Sequence, residues 1–85
     1  MLKKEIIVKI HEGVDVDYAG RLAIVAERFQ CKSMLQLKNH TINMHSLLNL
    51  VSVGICRGDK VTVICDGCEE QQAMQKYEKI LSGLE

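Results

Sequence analysis

The chain has 85 residues, contains no proline, and balances 11 Lys and Arg against 11 Asp and Glu, so its formal net charge is zero. Binding to nucleic acid would require an excess of cations to neutralise phosphates, so the charge balance argues against that function. An apolar content of 47% argues against a disordered chain. No apolar run approaches the ~18 residues of a membrane-spanning helix, and no secretory signal opens the chain. We therefore expect a cytoplasmic protein with one domain over residues 1–85.

The first half of the chain changes from a strand pattern to a helix pattern. Residues 2–9 are rich in β-branched side chains and predict a short strand. Residues 17–29 predict a helix, because their apolar residues recur at helical spacing. Its apolar stripe is Leu22, Val25, Ala26 and Phe29. Asp15 or Asp17 is predicted to cap this helix, since a carboxylate accepts hydrogen bonds from the free amides of a first turn.

Two strands and a short helix are predicted in the middle of the chain. Residues 32–37 and 41–43 predict strands that pair in antiparallel fashion across a turn at Lys38-Asn39. Ser46 is predicted to cap a two-turn helix through its side chain, and Gly54 to end that helix.

The last part of the chain predicts a strand over residues 60–65 and a helix over residues 69–81. The predicted apolar side of this helix is formed by Ala73, Tyr77, Ile80, Leu81 and Leu84. The complete order is βαββαβα. It predicts an α+β, open-faced β-sandwich, in which a four-stranded antiparallel sheet is covered on one face by three helices.

Several residues fall at spacings that, with this element order, resemble the HPr family. They are Gly13, Phe29, Ser46-Leu47-Leu48, Gly54, Gly58 and Asp66-Gly67. HPr is the small phosphocarrier protein of the bacterial phosphoenolpyruvate:sugar phosphotransferase system. The resemblance covers roughly residues 5–84, and it implies the same open-faced sandwich.

The active-site motif of the family, Gly-Leu-His-Ala-Arg-Pro-Ala, corresponds here to Gly13-Val14-Asp15-Val16-Asp17-Tyr18-Ala19. Asp15 stands at the position of the phosphorylated histidine, Asp17 at that of the arginine, and Tyr18 at that of the proline. A phosphocarrier needs a nitrogen nucleophile and a cationic clamp for the phosphate oxygens. The resemblance therefore implies a non-enzymatic member of the family with a degenerate site. It is similar to the catabolite-repression branch, which lacks the histidine and keeps the serine.

Two further interpretations of the aspartate pair stay open. The carboxylates of Asp15 and Asp17 could serve only as helix caps, or their fixed negative charge could imitate a phosphorylated histidine. A functional phosphocarrier with a different acceptor, such as an aspartyl phosphate on Asp15, is the alternative function.

The resemblance also implies sites in the short helix. In HPr proteins of Gram-positive bacteria the serine at the position of Ser46 is phosphorylated as a regulatory mark, whereas the simpler interpretation is a plain helix cap. Leu47, Leu48 and Val51 are candidates for a protein-binding surface, and close packing of this helix on all sides is the alternative. The implied partners are proteins of the phosphotransferase system or a carbon-regulation transcription factor. The resemblance allows a monomer or a strand-exchanged dimer.

Cys65 and Cys68 form a C-x-x-C motif between a strand and a helix, so a thiol or metal-binding module is a further alternative. Alternation along the strand predicts that Cys65 points into the core, and Asp66 next to it would raise the pKa of a thiol. Without a secretory signal, the cysteines are expected to be reduced thiols. We therefore expect neither a bound metal nor a cofactor.

Overall fold

The computed structural model describes residues 1–84, and its element order is the predicted βαββαβα. The elements are β1 Leu2–Ile7, α1 Val16–Arg28, β2 Lys32–Leu37, β3 His40–Asn43, α2 Leu47–Ser52, β4 Lys60–Asp66 and α3 Glu70–Leu81. Within this part of the chain no helix has the length and apolar character needed to cross a membrane.

The four strands form one antiparallel sheet in the order β1-β4-β2-β3. Strand β4 lies inside the sheet, where Val63 pairs with Lys4 of β1 on one side and with Leu35 of β2 on the other. The turn between β2 and β3 contains no glycine, and Lys38 adopts a left-handed conformation there with φ of 56°. The predicted hairpin is therefore present.

The core lies between one face of the sheet and the three helices. Val61, Val63 and Cys65 of β4 are buried, whereas Thr62 and Ile64 between them are half-buried, as expected for a strand with one covered face. Helix α1 contributes Ala19, Leu22, Val25 and Ala26, and helix α3 contributes Ala73, Met74, Tyr77, Ile80 and Leu81. This arrangement confirms the open-faced sandwich.

The end of α3 differs from the sequence prediction. Leu84 was expected on the apolar side of the helix, but it is 79% exposed. Gly83 adopts a left-handed conformation with φ of 76°, and the Leu84 amide donates to the carbonyl of Lys79 at 2.9 Å. This turn ends the helical spacing, so Leu84 leaves the buried stripe and the prediction for it is wrong.

Gly13 connects the loop before α1 to the segment after α2. Its φ is 78°, and a Cβ atom on it would lie 2.5 Å from the carbonyl oxygen of Ile55. The next amide, that of Val14, donates to the same Ile55 oxygen at 2.9 Å. Only glycine fits both the left-handed backbone and this close approach, and the contact fixes where α1 begins.

Candidate functional site

Asp15 is the N-cap residue of α1. Its Oδ1 accepts a hydrogen bond from the Tyr18 amide at 3.0 Å, and its carbonyl accepts from the Ala19 amide at 2.8 Å. Of the two predicted capping residues, the structure therefore selects Asp15, while Asp17 lies in the first turn. One oxygen of this carboxylate is therefore already bonded to the helix that Asp15 begins.

The first turn of α1 carries negative charge that is open to solvent. Both Asp15 and Asp17 are exposed, and they lie at the positive end of the helix dipole. Tyr18 is half-buried, and the Arg21 guanidinium carbon lies 4.9 Å from the centre of its ring. This guanidinium therefore lies at the tyrosine ring, one turn after the aspartates.

The chain's three histidines all lie outside this turn. His11 is exposed, and its Nδ1 lies 3.3 Å from a guanidinium nitrogen of Arg57. His40 begins β3, and His45 precedes the short helix, where the Asn43 side chain accepts a hydrogen bond from its amide at 2.9 Å. No imidazole therefore occupies the place of Asp15.

Ser46 is the N-cap residue of α2, but its side chain makes no capping hydrogen bond. Its carbonyl accepts from the Leu50 amide at 3.1 Å, so the backbone of Ser46 takes part in the helix. The φ angles of Ser46 and Asp15 are −94° and −91°, whereas their ψ angles are 93° and −170°. The two N-cap residues therefore differ in ψ, and the prediction of a side-chain cap at Ser46 is wrong.

Helices α1 and α2 pack against each other, and each exposes apolar side chains in its first turn. Leu48 is 77% exposed and Leu47 is 39% exposed, whereas Leu50 is buried. Val51 is half-buried. Leu50 is therefore the residue of α2 that joins the core, and Leu47 and Leu48 are open to solvent.

Val16 was missed among the candidate residues, although it is 65% exposed at the first position of α1. The sequence does contain a signal for Val16. It is an apolar residue between two aspartates, and it lies outside the apolar helical stripe that contains Leu22. We call Val16, Leu47, Leu48 and Val51 the apolar face. Exposed apolar surface next to polar residues is typical of protein-binding sites.

The two cysteines of the C-x-x-C motif lie in different environments. Cys65 is fully buried, as predicted, and burial together with the neighbouring Cys31 raises the pKa of its thiol to about 12. Cys68 is exposed, and its thiol lies 3.7 Å from the carbonyl oxygen of Gln30. Thiol chemistry requires a lowered pKa, so the environment of Cys65 opposes that role. Within residues 1–84, no group of three or more His, Cys, Asp or Glu side chains could hold a metal ion.

The chain is similar to a known protein family and to individual members of it. The family model described as "PTS HPr component phosphorylation site" matches residues 2–82. The HPr-like protein Crh of Halalkalibacterium halodurans is 29% identical over 75 residues, which cover 88% of this chain and 89% of the relative. The HPr-like protein Crh of Bacillus subtilis is 28% identical over 76 residues, which cover 89% of each chain.

Solved structures share the fold. HPr-C-His from Thermoanaerobacter tengcongensis superposes with a TM-score of 0.90 at 20% identity, covering 99% of this chain and 94% of that one. A crystal structure of Crh from Bacillus subtilis superposes with a TM-score of 0.76 at 25% identity, covering 99% and 97%. That Crh structure is described as a dimer formed by a swapped domain.

Proposed function

The chain belongs to the HPr family and is similar to Crh, and from this premise we propose that it is a regulatory protein-binding module. It acts in the cytoplasm as a single domain, binds proteins of the bacterial phosphotransferase system or a carbon-regulation transcription factor, and catalyses no reaction. The observation that carries the proposal is the carboxylate of Asp15 at the position of the phosphorylated histidine, bonded to its own helix at 3.0 Å.

Loss of phosphate transfer follows from the chemistry of this turn. An imidazole nitrogen attacks a phosphoryl group and forms a transferable phosphoramidate, which a carboxylate does not. Asp17 adds a second negative charge where the family has a guanidinium, so the incoming phosphate oxygens meet repulsion instead of a clamp. The helix N-terminus that would stabilise a phosphate is already bonded to Asp15.

The docking surface in this proposal consists of Leu47, Leu48 and Val51 together with the turn from Asp15 to Tyr18. The exposed fraction of Leu48, 77%, supports the role, because a large apolar side chain in water gains free energy when a partner covers it. Asp17 is exposed within this turn, so its fixed negative charge is available to a partner that otherwise recognises a phosphorylated histidine.

A matched pair of variants tests the docking surface. We expect Leu48→Ser to weaken binding to the kinase that phosphorylates HPr on serine by at least about tenfold, as for a residue at the centre of an interface. Leu84→Ser is the control, because Leu84 is 79% exposed and lies beyond α3. Titration calorimetry measures both, and equal affinities for the two variants would contradict the assignment.

Ser46 is the proposed site of regulatory phosphorylation. Its hydroxyl makes no capping hydrogen bond. We expect the HPr serine kinase with ATP to phosphorylate the parent and to leave Ser46→Ala unmodified. Ser52→Ala is the matched control, since Ser52 lies in the same helix and its hydroxyl donates to the carbonyl of Leu48 at 2.6 Å. Phosphate on Ser46→Ala, or none on the parent, would remove this part of the proposal.

The decisive test of the function uses enzyme I and labelled phosphoenolpyruvate. We expect the protein to remain unlabelled under conditions in which a histidine-containing HPr is fully labelled. A label that is lost in acid but stable in alkali would show a phosphohistidine and contradict the proposal. A label released by hydroxylamine would show an acyl phosphate, and the alternative of a phosphocarrier with another acceptor would replace it.

A further inference from the structure

Strand β1 lies at the edge of the sheet, where it pairs with β4 on one side only. Its backbone groups alternate in direction, because residues of an antiparallel pair alternate between hydrogen-bonded and non-hydrogen-bonded positions. The amide of Val8, which directly follows β1, donates to the carbonyl of Asp59 at 2.9 Å, and its carbonyl accepts from the Gly58 amide at 2.8 Å. Val8 therefore directs its backbone groups toward the β4 side, and the even-numbered residues of β1 do the same.

The odd-numbered residues of β1 consequently direct their backbone groups away from β4. These residues are Lys3, Glu5 and Ile7, and all three are exposed. The Lys9 amide continues the alternation, since it donates to the carbonyl of Leu81 in α3 at 2.9 Å. In the described part of the chain, the outward backbone groups of the three strand residues have no partner. A row of unpaired amides and carbonyls is a template for pairing with another strand.

The charges along this edge favour one register for pairing with a second copy of the same strand. Only outward residues can exchange hydrogen bonds across the new pair, so the two-fold axis moves by one residue between allowed registers. With the axis at Lys4, Lys3 of each copy lies opposite Glu5 of the other. With the axis at Lys3 or at Glu5, two like charges lie opposite each other. Opposite charges across a strand pair stabilise it, whereas like charges destabilise it.

The free backbone edge and the pattern of its charges fit the same occupant. We propose that two copies of this chain associate through antiparallel β1 edges, with Lys3 of each copy opposite Glu5 of the other, so that their sheets become continuous. Each of these opposed pairs exchanges two backbone hydrogen bonds. The proposal is independent of the function proposed above, because β1 contributes no residue to the apolar face.

Lys4 of each copy lies at the two-fold axis, and each is already paired within its own chain. The Nζ atom of Lys4 lies 2.7 Å from a carboxylate oxygen of Glu78 in α3. This carboxylate offsets the repulsion between the two lysines. A groove of about 250 Å³ lies between β1 and α3 and is lined in part by Leu2 and Met74. Helix α3 therefore does not cover the edge.

Lys60 of β4 is a second cation near Glu5. Its Nζ atom lies 3.8 Å from a carboxylate oxygen of Glu5, and both side chains are exposed. An exposed ion pair at this distance contributes little free energy, because water screens it. Glu5 therefore remains available to a lysine across the edge.

A strand of six residues makes a small interface, so the association is weak and reversible. The expected dissociation constant is on the order of 0.1–1 mM. Sedimentation velocity of the whole chain should show a monomer well below this concentration and a rising fraction of dimer above it. Over the same range, the amides of Lys3, Glu5 and Ile7 should shift in ¹H–¹⁵N correlation spectra.

Charge reversals test the register. Lys3→Glu and Glu5→Lys should each weaken the dimer about fivefold or more, because each variant places like charges opposite each other. An equimolar mixture of these two variants should associate at least as tightly as the parent, since opposite charges then meet at both pairs. Lys32→Glu and Glu27→Lys are the matched controls, because they change the net charge equally and lie outside β1. The controls should associate like the parent, both separately and mixed.

The proposal is overturned if the protein stays monomeric at millimolar concentration, or if the two charge reversals in β1 leave the association unchanged. Shifts confined to the apolar face on raising the concentration would assign the contact between copies to that face. A dimer that persists on dilution and does not respond to the charge reversals would indicate exchange of strands between copies. Either of these two results would also overturn the proposal.

Discussion

Helices α1 and α2 both begin at residues that favour N-caps, yet the two N-termini differ. At the start of α1 the side chain of Asp15 accepts a hydrogen bond from a first-turn amide at 3.0 Å, and Asp17 adds negative charge. At the start of α2 the side chain of Ser46 accepts none, and the first turn contains no acidic residue. The N-terminus of α1 is bonded to the carboxylate of Asp15, whereas no side chain is bonded to the N-terminus of α2.

This difference indicates where a phosphate could be accommodated. A phosphate near α1 would have to displace a bonded carboxylate and approach a second one, which costs electrostatic free energy. A phosphate on Ser46 would meet a first turn without acidic side chains, although the helix has only six residues. Both helices contribute to the apolar face of Val16, Leu47, Leu48 and Val51, but only the N-terminus of α1 is bonded to an acidic side chain.

The largest effect is expected at Gly13, in the loop that leads into the N-terminus of α1. Gly13→Ala should lower the free energy of unfolding by about 3 kcal/mol, because the left-handed backbone and a contact of 2.5 Å with the Ile55 oxygen both exclude a Cβ atom. Gly20→Ala is the control within α1, where an added Cβ meets nothing within 4 Å. That variant should gain about 0.5–1 kcal/mol. Urea unfolding measures both, and equal changes would contradict this account of Gly13.

The comparison of the two caps is tested directly by alanine. Asp15→Ala should lower the free energy of unfolding by about 1 kcal/mol, since it removes the bond to the Tyr18 amide. Ser46→Ala should change it by less than about 0.5 kcal/mol, because no capping bond is lost. Both values come from urea unfolding at pH 7. A larger loss for the serine variant than for the aspartate variant would reverse the comparison.

The smallest effect concerns alkaline pH and lies in the sheet, away from both termini. Burial raises the pKa of Cys65 from 9.0 to about 12, so above pH 9 the unfolded chain loses this proton while the folded chain keeps it. Stability from this group is therefore complete below pH 9 and is lost progressively between pH 9 and 12. By pH 10.5 the loss should be roughly 1 kcal/mol, a value reduced for solvent screening.

Comparison of the parent with Cys65→Ala measures this contribution, because burial, the main cause of the raised pKa of Tyr77, is present in both proteins. The free energy of unfolding of the parent should fall more steeply from pH 8 to pH 10.5 than that of the variant. Parallel pH profiles would show that the Cys65 thiol has an ordinary pKa in the folded protein.

Sequence patterns predicted most of the fold because local signals agreed with one another. The spacing of Leu22, Val25 and Ala26 predicted the buried side of α1, and alternation predicted that Cys65 is buried. Leu84 was placed wrongly, because its spacing continues the stripe of α3 although Gly83 reverses the chain before it. The helical period alone contains no information about that reversal.

The candidate site was predictable in its residues but not in its geometry. Serine and aspartate are both favoured N-cap residues, and Ser46 and Asp15 differ in ψ, a backbone angle that residue type alone does not determine. The free edge of β1 was not predicted, since the order of the strands depends on contacts between residues that are distant in sequence.

The central claim is that the side chains at positions 15 and 17 alone prevent this scaffold from carrying phosphate. The most direct measurement compares the parent with the double variant Asp15→His, Asp17→Arg in transfer from enzyme I to a sugar-permease subunit. The account predicts no transfer by the parent and measurable transfer by the variant, whose imidazole and guanidinium restore the nucleophile and its clamp. Transfer by the parent, or no transfer by a folded double variant, would contradict it.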